Sequence, residues 1–360
     1  MAGSIFQQGV YGCSFAFVDT AGAASQIFDA SSGFAWSTSV TRFGTGVSVA
    51  ISNGSATKNL GVNLPALIEG IAFRCDALPV SGWAILREWA DSGTVQVSLQ
   101  VSASGQLQFF RGTGTGSPLG SATPQATVVA GIFLFLQARI TFSVTVGAVE
   151  LFIDFATTAA ISATGLNTSA STNAYANQAL FVSSGFPGGT PATYFQDWYI
   201  LDLTESAPFN TYLGNGRYQA DGPTSDSATL GLNTWSLTTP QGTDYGNFAN
   251  IPPNSSDYNS SAVVGARASC RFPNLGASTT HVTFFNTWVS AELNGAGANT
   301  LVIVYRNSGT DQVGPVITPA NGTYAFFNTI STIDPATGLP WTDEQIGATL
   351  PMEIGLEVVS

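Results

Sequence analysis

The clearest alternation of apolar and polar residues in this chain runs through residues 137–155. In its first half every second residue is apolar, namely Ile140, Phe142, Val144 and Val146. After a break at Gly147 and Ala148 the alternation resumes with Val149, Leu151 and Ile153. A period of two is typical of a strand with one buried face, and glycine at the break allows the positive φ of a tight turn. The pattern therefore predicts an antiparallel hairpin with one face in a core.

The same short period recurs through the first half of the chain, with glycine-rich or proline-rich turns between the apolar runs. It predicts about ten to twelve strands before residue 204, with turn signals roughly every 8–12 residues. The main candidates are residues 14–19, 35–39, 46–52, 67–75, 83–89, 95–101, 107–111, 128–136, 179–183 and 194–203. Residues 157–176 are small and polar and predict a surface excursion. This spacing favours a β-sandwich or jelly roll.

The second half begins after a loop-like boundary at residues 204–215. Residues 216–261 are dominated by Gly, Asn, Asp, Ser, Thr and Pro, which predicts an extended loop with short strands. Further strands are predicted at residues 262–272, 281–293, 300–307, 312–318, 322–329 and 352–359. One short helix is predicted at 342–348, where Thr342 and Gln345 fit a capping box. The chain is thus predicted to be all-β, with domains at 1–205 and 206–360.

Composition restricts the partners. Only 9% of the 360 residues are charged and the net charge is −12, so the surface must consist mainly of neutral polar residues. A phosphate backbone or an anionic membrane would be repelled, and no basic cluster offsets this repulsion. A weakly charged surface suits a protein packed against copies of itself or other subunits, and we expect a homo-oligomer.

The cysteines and the N-terminal residues indicate no redox motif, metal site or secretory signal. Cys13, Cys75 and Cys270 are far apart and form no CxxC pair, so we expect three small buried thiols. The first residues contain no basic region followed by an apolar run, so no secretory signal is expected. The longest apolar run, residues 128–136, is shorter than the roughly 20 residues of a membrane helix and predicts a buried strand.

The sequence contains no complete catalytic pattern. Glu150 and Asp154 are predicted on one strand face but roughly 13 Å apart, too far for the carboxyl pair of a retaining glycosidase. The single histidine, His281, has no Gly-x-Ser-x-Gly motif to accompany it. The glycines of residues 112–120 do not follow a dinucleotide fingerprint. The sequence therefore predicts no enzyme and assigns no catalytic, cofactor-binding or metal-binding residue.

Several stretches resemble the concanavalin A-like, laminin-G-like jelly roll. They are LIEGIAFRC, WAILREW, VQVSLQVSASGQLQFFRG, VTVGAVELFID and the closing YFQDWYILD. This resemblance covers about the first 200 residues and concerns fold more than function. It implies a calcium site on a loop rim as one option, with Asp154, Asp197 and Asp202 as candidates by residue type, although no ligand is assigned.

The whole chain also resembles structural proteins of tailed bacteriophages, in which such a jelly roll precedes a C-terminal β-domain. The resembling phrases are FQDWYILDLTESAPFNTYLGNGRYQADGPTSD, YRNSGTDQVG and IDPATGLPWTDEQI. The resemblance implies a non-enzymatic virion component, made in the host cytoplasm and located on the tail or the capsid exterior. Its expected partners are other virion proteins and copies of itself, without cofactors.

An adhesion module that binds a host receptor or glycan is the alternative. It would use exposed aromatic side chains, and the seven tryptophans are Trp36, Trp83, Trp89, Trp198, Trp235, Trp288 and Trp341. Most tryptophans in such a chain are expected in the core or a subunit interface.

Overall fold

The computed structural model describes nearly all of the chain between residues 28 and 205 and parts of the remainder. The described residues are 10–13, 28–43, 47–114, 116–154, 156–187, 193–205, 210–215, 224–227, 235–237, 246, 258–272, 285–295, 300–307, 310–322, 325–331, 333–334, 337–341 and 353–360. All 22 named elements within them are β-strands, which confirms the all-β class. The strand predicted at 14–19 and the helix predicted at 342–348 lie outside these residues.

The described part divides into two compact units. Residues as far as Asn215 belong to the first unit, and those from Thr224 onward belong to the second. Nothing in the fold tests the boundary predicted at residue 205, which stays a prediction.

The first unit contains strands β1 to β13. Their bounds are β1 Val10–Cys13, β2 Ala30–Ser37, β3 Ser48–Leu64, β4 Ala66–Cys75, β5 Trp83–Asp91, β6 Thr94–Ser102, β7 Leu107–Arg111, β8 Pro118–Leu119, β9 Leu134–Thr141, β10 Gly147–Ile153, β11 Ile161–Leu166, β12 Ala176–Ser184 and β13 Thr193–Asp202. They form one 13-stranded sheet with the path β11-β10-β9-β4-β13-β3-β12-β5-β6-β7-β8, while β1 pairs with β13 and β2 with β3.

This sheet folds over on itself into a β-sandwich. The long strand β3 forms the corner, because it pairs with β13 near its start and with β12 over the remainder. Contacts between the layers show the closure: Phe181 on β12 packs against Trp198 on β13 with ring centroids 4.9 Å apart. Alternate residues of both layers fill the space between them, where the burial of large apolar side chains supplies the main driving force for folding.

The second unit contains the remaining strands. Their bounds are β14 Ser225–Asp226, β15 Ser236–Leu237, β16 Asn259–Ser260, β17 Arg267–Arg271, β18 Phe285–Ala291, β19 Leu301–Asn307, β20 Thr310–Ile317, β21 Ala325–Ser331 and β22 Glu353–Val358. The main sheet has the order β14-β17-β22-β19-β20, and β15–β16 and β18–β21 form two separate pairs. Val289 and Phe327 of the β18–β21 pair pack onto a cluster that includes Ile303 and Tyr305 of the main sheet.

The hairpin that dominates the sequence pattern exists, but its turn lies elsewhere. Strand β9 ends at Thr141 and β10 begins at Gly147, so the predicted strand residues Val144 and Val146 belong to the turn and are 53% and 72% exposed. The Ser143 hydroxyl accepts hydrogen bonds from the N–H groups of residues 145 and 146 and so closes the turn early. Gly147 is required for close approach, because a Cβ there would overlap the Thr168 side chain.

Two further strand predictions were wrong. The apolar run 128–136 is not one buried strand, because β9 begins only at Leu134 and Val129 and Ile132 are exposed. The stretch 157–176, predicted as a surface excursion, contributes the edge strand β11. Ile161 is buried within β11 and supplies the apolar anchor that the polar composition conceals.

Candidate functional site

The sheet formed by β5, β6 and β7 carries a polar face opposite the sandwich core. Glu88 on β5 lies opposite Ser98 on β6, and Gln100 on β6 lies opposite Gln108 on β7. Residues directly opposite one another share a face, and residues two apart on one strand do as well. These four side chains, which we call the polar face, therefore lie together. Their intervening neighbours, such as Leu99 and Phe109, enter the core.

The polar face is buried even though it lies outside the core. Ser98 and Gln100 are fully buried, and Glu88 is only 8% exposed. The Gln100 amide donates to Ser98 Oγ at 3.0 Å, but its Oε1 has no hydrogen-bond partner among the described residues. The Glu88 carboxyl also receives no hydrogen bond from the described residues. Buried acceptors without donors are uncommon in folded proteins, and among the described residues Gln100 Oε1 is such an acceptor.

Gln96, on the same strand, has hydrogen-bond partners for both the nitrogen and the oxygen of its side-chain amide. Its Nε2 donates to Ser171 Oγ at 2.7 Å, and its Oε1 accepts from the N–H groups of Ala170 and Ser171. It thereby fixes the loop between β11 and β12 onto the sheet. Gln100 lies four residues further along the same strand face, and no described loop residue donates a hydrogen bond to its Oε1.

Two aromatic rings border the polar face. Trp83 on β5 and Phe110 on β7 meet edge to face with centroids 5.3 Å apart. Their partners on β6 are Ser102 and Ser98, four residues apart, so the rings meet across β6 at the level of Gln100. Phe110 is buried, whereas Trp83 remains half-buried and presents part of its ring to solvent. A half-buried indole beside polar groups offers an apolar surface with a polar rim.

The connection from β7 to β8 lies against the polar face. A Cβ added to Gly114 would lie 3.2 Å from Ile85 Cδ1 and 3.9 Å from Gln100 Oε1, so glycine lets the backbone approach here. Gln108 fixes the end of this connection, because its Nε2 donates to the carbonyl oxygens of Leu119 and Gly120. Gly114 and the segment Leu119–Gly120 therefore border this polar face.

Burial sets the electrostatics of Glu88. Desolvation raises the pKa of its carboxyl to about 7, although the positive charge of Arg87 opposes the shift. The Arg87 guanidinium lies on the core side and binds Glu69 through its Nε and Nη2 groups. Glu88 therefore changes charge near neutral pH, on a face whose other three members do not ionise.

The core beneath the polar face contains a buried ion pair. The Arg87 and Glu69 side chains are each 1% exposed, and the Trp198 indole N–H also donates to Glu69 Oε1. The Arg87 guanidinium carbon lies 3.8 Å from the centroid of the Phe181 ring, which adds a cation–π contact. This cluster joins β5 to β4 and β13 across the sandwich, beneath the polar face.

The aspartates considered for calcium do not converge. Asp154 Oδ1 accepts the N–H of Phe135, Asp197 binds the Arg42 guanidinium at 3.1 Å, and Asp202 Oδ1 accepts from Thr204. Each carboxylate thus has a local structural partner. Glu150 is likewise engaged, by the Tyr212 hydroxyl and by Arg139. Among the described residues no group of three or more His, Cys, Asp or Glu side chains is placed to hold a metal ion.

The tryptophans, the cysteines and the single histidine lie in different environments. Trp89, Trp198 and Trp341 are buried, Trp36 and Trp235 are half-buried like Trp83, and the side chain of Trp288 lies outside the described part. Cys75 and Cys270 are buried free thiols, as expected, and burial raises the pKa of Cys75 to about 11. His281 and the Cys13 side chain fall outside the described residues. No helix in the described part is long and apolar enough to cross a bilayer.

Sequence reasoning missed the polar face, although one signal was present. The strand Thr94–Ser102 alternates cleanly, and its apolar half was correctly assigned to the core. Its polar half, with Ser98 and Gln100, has the pattern of a solvated face. Only the fold reveals that aromatic rings and the β7–β8 connection cover this half.

Comparison with known proteins gives partial matches. No protein-family model and no curated protein matches the chain. Among solved structures, a protein described as "Cellulose induced protein, Cip1" aligns at 14% identity and TM-score 0.39, over 54% of this chain and 92% of that one. Domain 4 of AbnA, an extracellular arabinanase from Geobacillus stearothermophilus, aligns at 11% identity and TM-score 0.34, over 54% and 91%. A sialidase from Trypanosoma rangeli aligns at 10% identity and TM-score 0.29, over 47% and 30%.

Proposed function

We propose that this protein is a non-enzymatic structural component of a tailed-bacteriophage virion, acting through packing between subunits. Its N-terminal unit would be a laminin-G-like jelly roll, followed by a second β-sandwich. The proposal is supported by the long resembling phrases in residues 195–360 and by the low charge of the chain. Location on the tail and on the capsid exterior are both compatible with it.

One structural observation supports this function most directly. Every lysine and arginine among the described residues has an intramolecular partner: Arg42, Lys58, Arg74, Arg87, Arg139, Arg267, Arg271 and Arg306 form ion pairs, and Arg111 donates to the Ser169 carbonyl oxygen. The cationic side chains of the described residues are thus paired within their own units. Contacts with other subunits would then be made mainly by the neutral polar and apolar groups that form most of the chain.

Localisation on intact particles tests this function. Immunogold labelling and cryo-electron microscopy with copy-number measurement should find the protein on the particle. Many copies in a lattice on the head would identify a decoration protein, whereas a few copies at the tail would identify a tail component. Absence from purified particles would refute the proposal.

A second function, binding of a neutral glycan, is favoured by the polar face. The half-buried ring of Trp83 supports it, because the C–H face of a pyranose packs on an indole, and Gln100 Oε1, which receives no hydrogen bond from the described residues, lies on the same face. Calorimetry with cellotriose, maltotriose and N-acetylchitotriose tests this function. Trp83→Ala should abolish binding, whereas Trp36→Ala, which truncates a half-buried tryptophan on β2, should preserve it. Equal loss in both variants would contradict the assignment.

A further inference from the structure

The outer face of strands β10, β9, β4 and β13 is buried although it points away from the sandwich core. One row across these strands consists of Phe152, Gln137, Gly70 and Tyr199, each lying directly opposite the next. Glu69, the neighbour of Gly70, points into the core, so this row points outward. Gln137 and Tyr199 are nevertheless only 5% and 2% exposed. A segment outside the sheet must therefore cover them.

Residues 210–215, which we call the latch, contribute this cover. The Tyr212 ring packs edge to face on Phe152 with centroids 4.6 Å apart, and its hydroxyl donates to Glu150 Oε2 at 3.1 Å. Burial and the neighbouring Glu150 carboxylate raise the pKa of Tyr212, so the hydroxyl stays protonated and remains a donor. The first half of the latch is thus held by one aromatic contact and one charge-assisted hydrogen bond.

The backbone of the latch is held by the buried polar groups of the same row. The Gly214 N–H donates to Gln137 Oε1 at 2.9 Å, and the Tyr199 hydroxyl donates to the same oxygen at 3.0 Å. The Tyr199 hydroxyl also has a hydrogen bond with the backbone of Leu213. The hydrogen-bonding capacity of Gln137 and Tyr199 is therefore used to hold the latch rather than to meet solvent.

Arg42, in the connection between β2 and β3, holds the end of the latch. Its Nη2 donates to Asn215 Oδ1, and its Nη1 donates to Asp197 Oδ2 at 3.1 Å. Its backbone N–H donates to Gln196 Oε1 at 2.7 Å, and its guanidinium carbon lies 4.8 Å from the centroid of the Phe135 ring. One arginine thus joins the latch to β13 and packs on an aromatic ring of β9.

The backbone of β13 is distorted where it meets Arg42. Asp197 has a φ of 53°, in the left-handed region that non-glycine residues rarely adopt. The pairing of β13 with β4 shifts register between Gln196 and Tyr199, so Asp197 lies in a bulge. Such conformations persist where the surrounding structure requires them, and they cluster at functional positions. The contact made here is the ion pair with Arg42, which in turn holds Asn215.

We propose that residues 210–215 are a releasable latch that fastens the connection between the two units to the outer face of the first unit, with Arg42 as its catch. These residues belong to no strand, so the latch opens without breaking the pairing of the sheet. Opening lengthens the connection by residues 206–215, up to about 35 Å when extended. The docking is argued from the contacts of this chain alone, whereas its use, to set the reach between units within a particle, rests on the structural role proposed above.

Chymotrypsin cleavage after Tyr212 in the native full chain tests the latch, because cleavage requires the open form and its rate reports the open population. Wild type should be cleaved at least about 100-fold more slowly than a peptide of residues 206–220, since several contacts must break together. Asn215→Ala removes the acceptor of Arg42 and should speed cleavage about tenfold, the effect of one hydrogen bond to a charged group. Asn177→Ala, which removes an acceptor on β12, should match wild type. A wild-type rate in Asn215→Ala would overturn the proposal.

The same cleavage in 1 M urea, normalised to the peptide, separates a latch from an integral part of the first unit. Opening of a short segment exposes little surface, so the rate should rise less than about threefold. A rise as steep as the urea dependence of unfolding of the whole unit would overturn the proposal, because the segment would then leave only when the unit unfolds. Both measurements use the purified chain, so absence of the protein from particles would refute the structural role and leave the latch standing. Cleavage of wild type as fast as the peptide would refute the latch and leave the structural role standing.

Discussion

Replacement of Arg87 by methionine should destabilise the first unit more than any surface substitution. Arg87 and Glu69 are each 1% exposed, so Arg87→Met leaves the Glu69 carboxylate buried without its cation. Breaking a buried pair by removal of one partner costs about 3–5 kcal/mol. For a unit of this size that loss corresponds to a melting temperature roughly 6–20 °C lower.

The double variant Arg87→Met/Glu69→Gln should be more stable than Arg87→Met alone. Both charges are then absent, and the amide oxygen introduced at position 69 still accepts from the Trp198 indole N–H, which binds Glu69 in the native chain. Because a buried ion pair gains little over its desolvation cost, the double variant should lie within about 1–2 kcal/mol of wild type.

Urea unfolding of the full chain, followed by far-ultraviolet circular dichroism, measures these differences. Arg306→Met in the second unit serves as the control, since Arg306 pairs with Asp311 and its loss should affect the other unit. The reasoning fails if the double variant is as unstable as the sum of its single variants. That result would mean that Arg87 and Glu69 are not energetically coupled in the folded protein.

Three further predictions concern other positions. Glu88→Gln should stabilise the protein by about 3 kcal/mol at pH 8 and by little at pH 4, and thermal melts at both pH values measure the difference. The pKa of Glu88 in the folded protein, about 7, is raised above its unfolded value, so the protonated carboxyl contributes its full stability below the unfolded pKa. This contribution is lost as the pH rises through the folded pKa, whereas the amide of the variant does not ionise. Gly70→Ala should lower the free energy of unfolding by about 1–3 kcal/mol, measured by urea unfolding, because the added Cβ would overlap the Tyr199 ring. Gly82→Ala should lower it by less, because Gly82 lies at an open turn where only the positive φ disfavours alanine. Burial alone would raise the pKa of Asp311, but hydrogen bonds from Arg306 and Arg267 lower it below its usual value. Asp311→Asn should therefore cost about 1 kcal/mol of stability at pH 7 and less near pH 3, where the carboxyl begins to be protonated and the ion pairs weaken. Equal costs at both pH values would contradict the ion-pair account.

The positions of most strands follow from the sequence because a strand with one buried face requires alternation. Leu107–Arg111 was predicted with its observed bounds, and the strand starting at Trp83 was placed within two residues of its end. These segments alternate strongly and are flanked by turn residues, so local preference and tertiary packing agree.

The turn of the central hairpin was misplaced because alternation continues through it. Val144 and Val146 fit the strand pattern, but the Ser143 side chain and the Thr168 hydroxyl supply hydrogen bonds that end the strand at Thr141. Thr168 lies 25 residues away from Ser143 along the chain. A partner so distant leaves no trace in local periodicity.

The sequence by itself determined that this chain is built of strands, where most of them lie, and that its surface carries little charge. Only the tertiary structure decided that the polar half of Thr94–Ser102 is buried and that Gln100 Oε1 receives no hydrogen bond from the described residues. The physical reason is that alternation records which side chains share a face, whereas the environment of that face depends on segments from elsewhere. Trp83, Phe110 and the backbone at Gly114 come from other strands and connections, and they lie against this face and help to bury it.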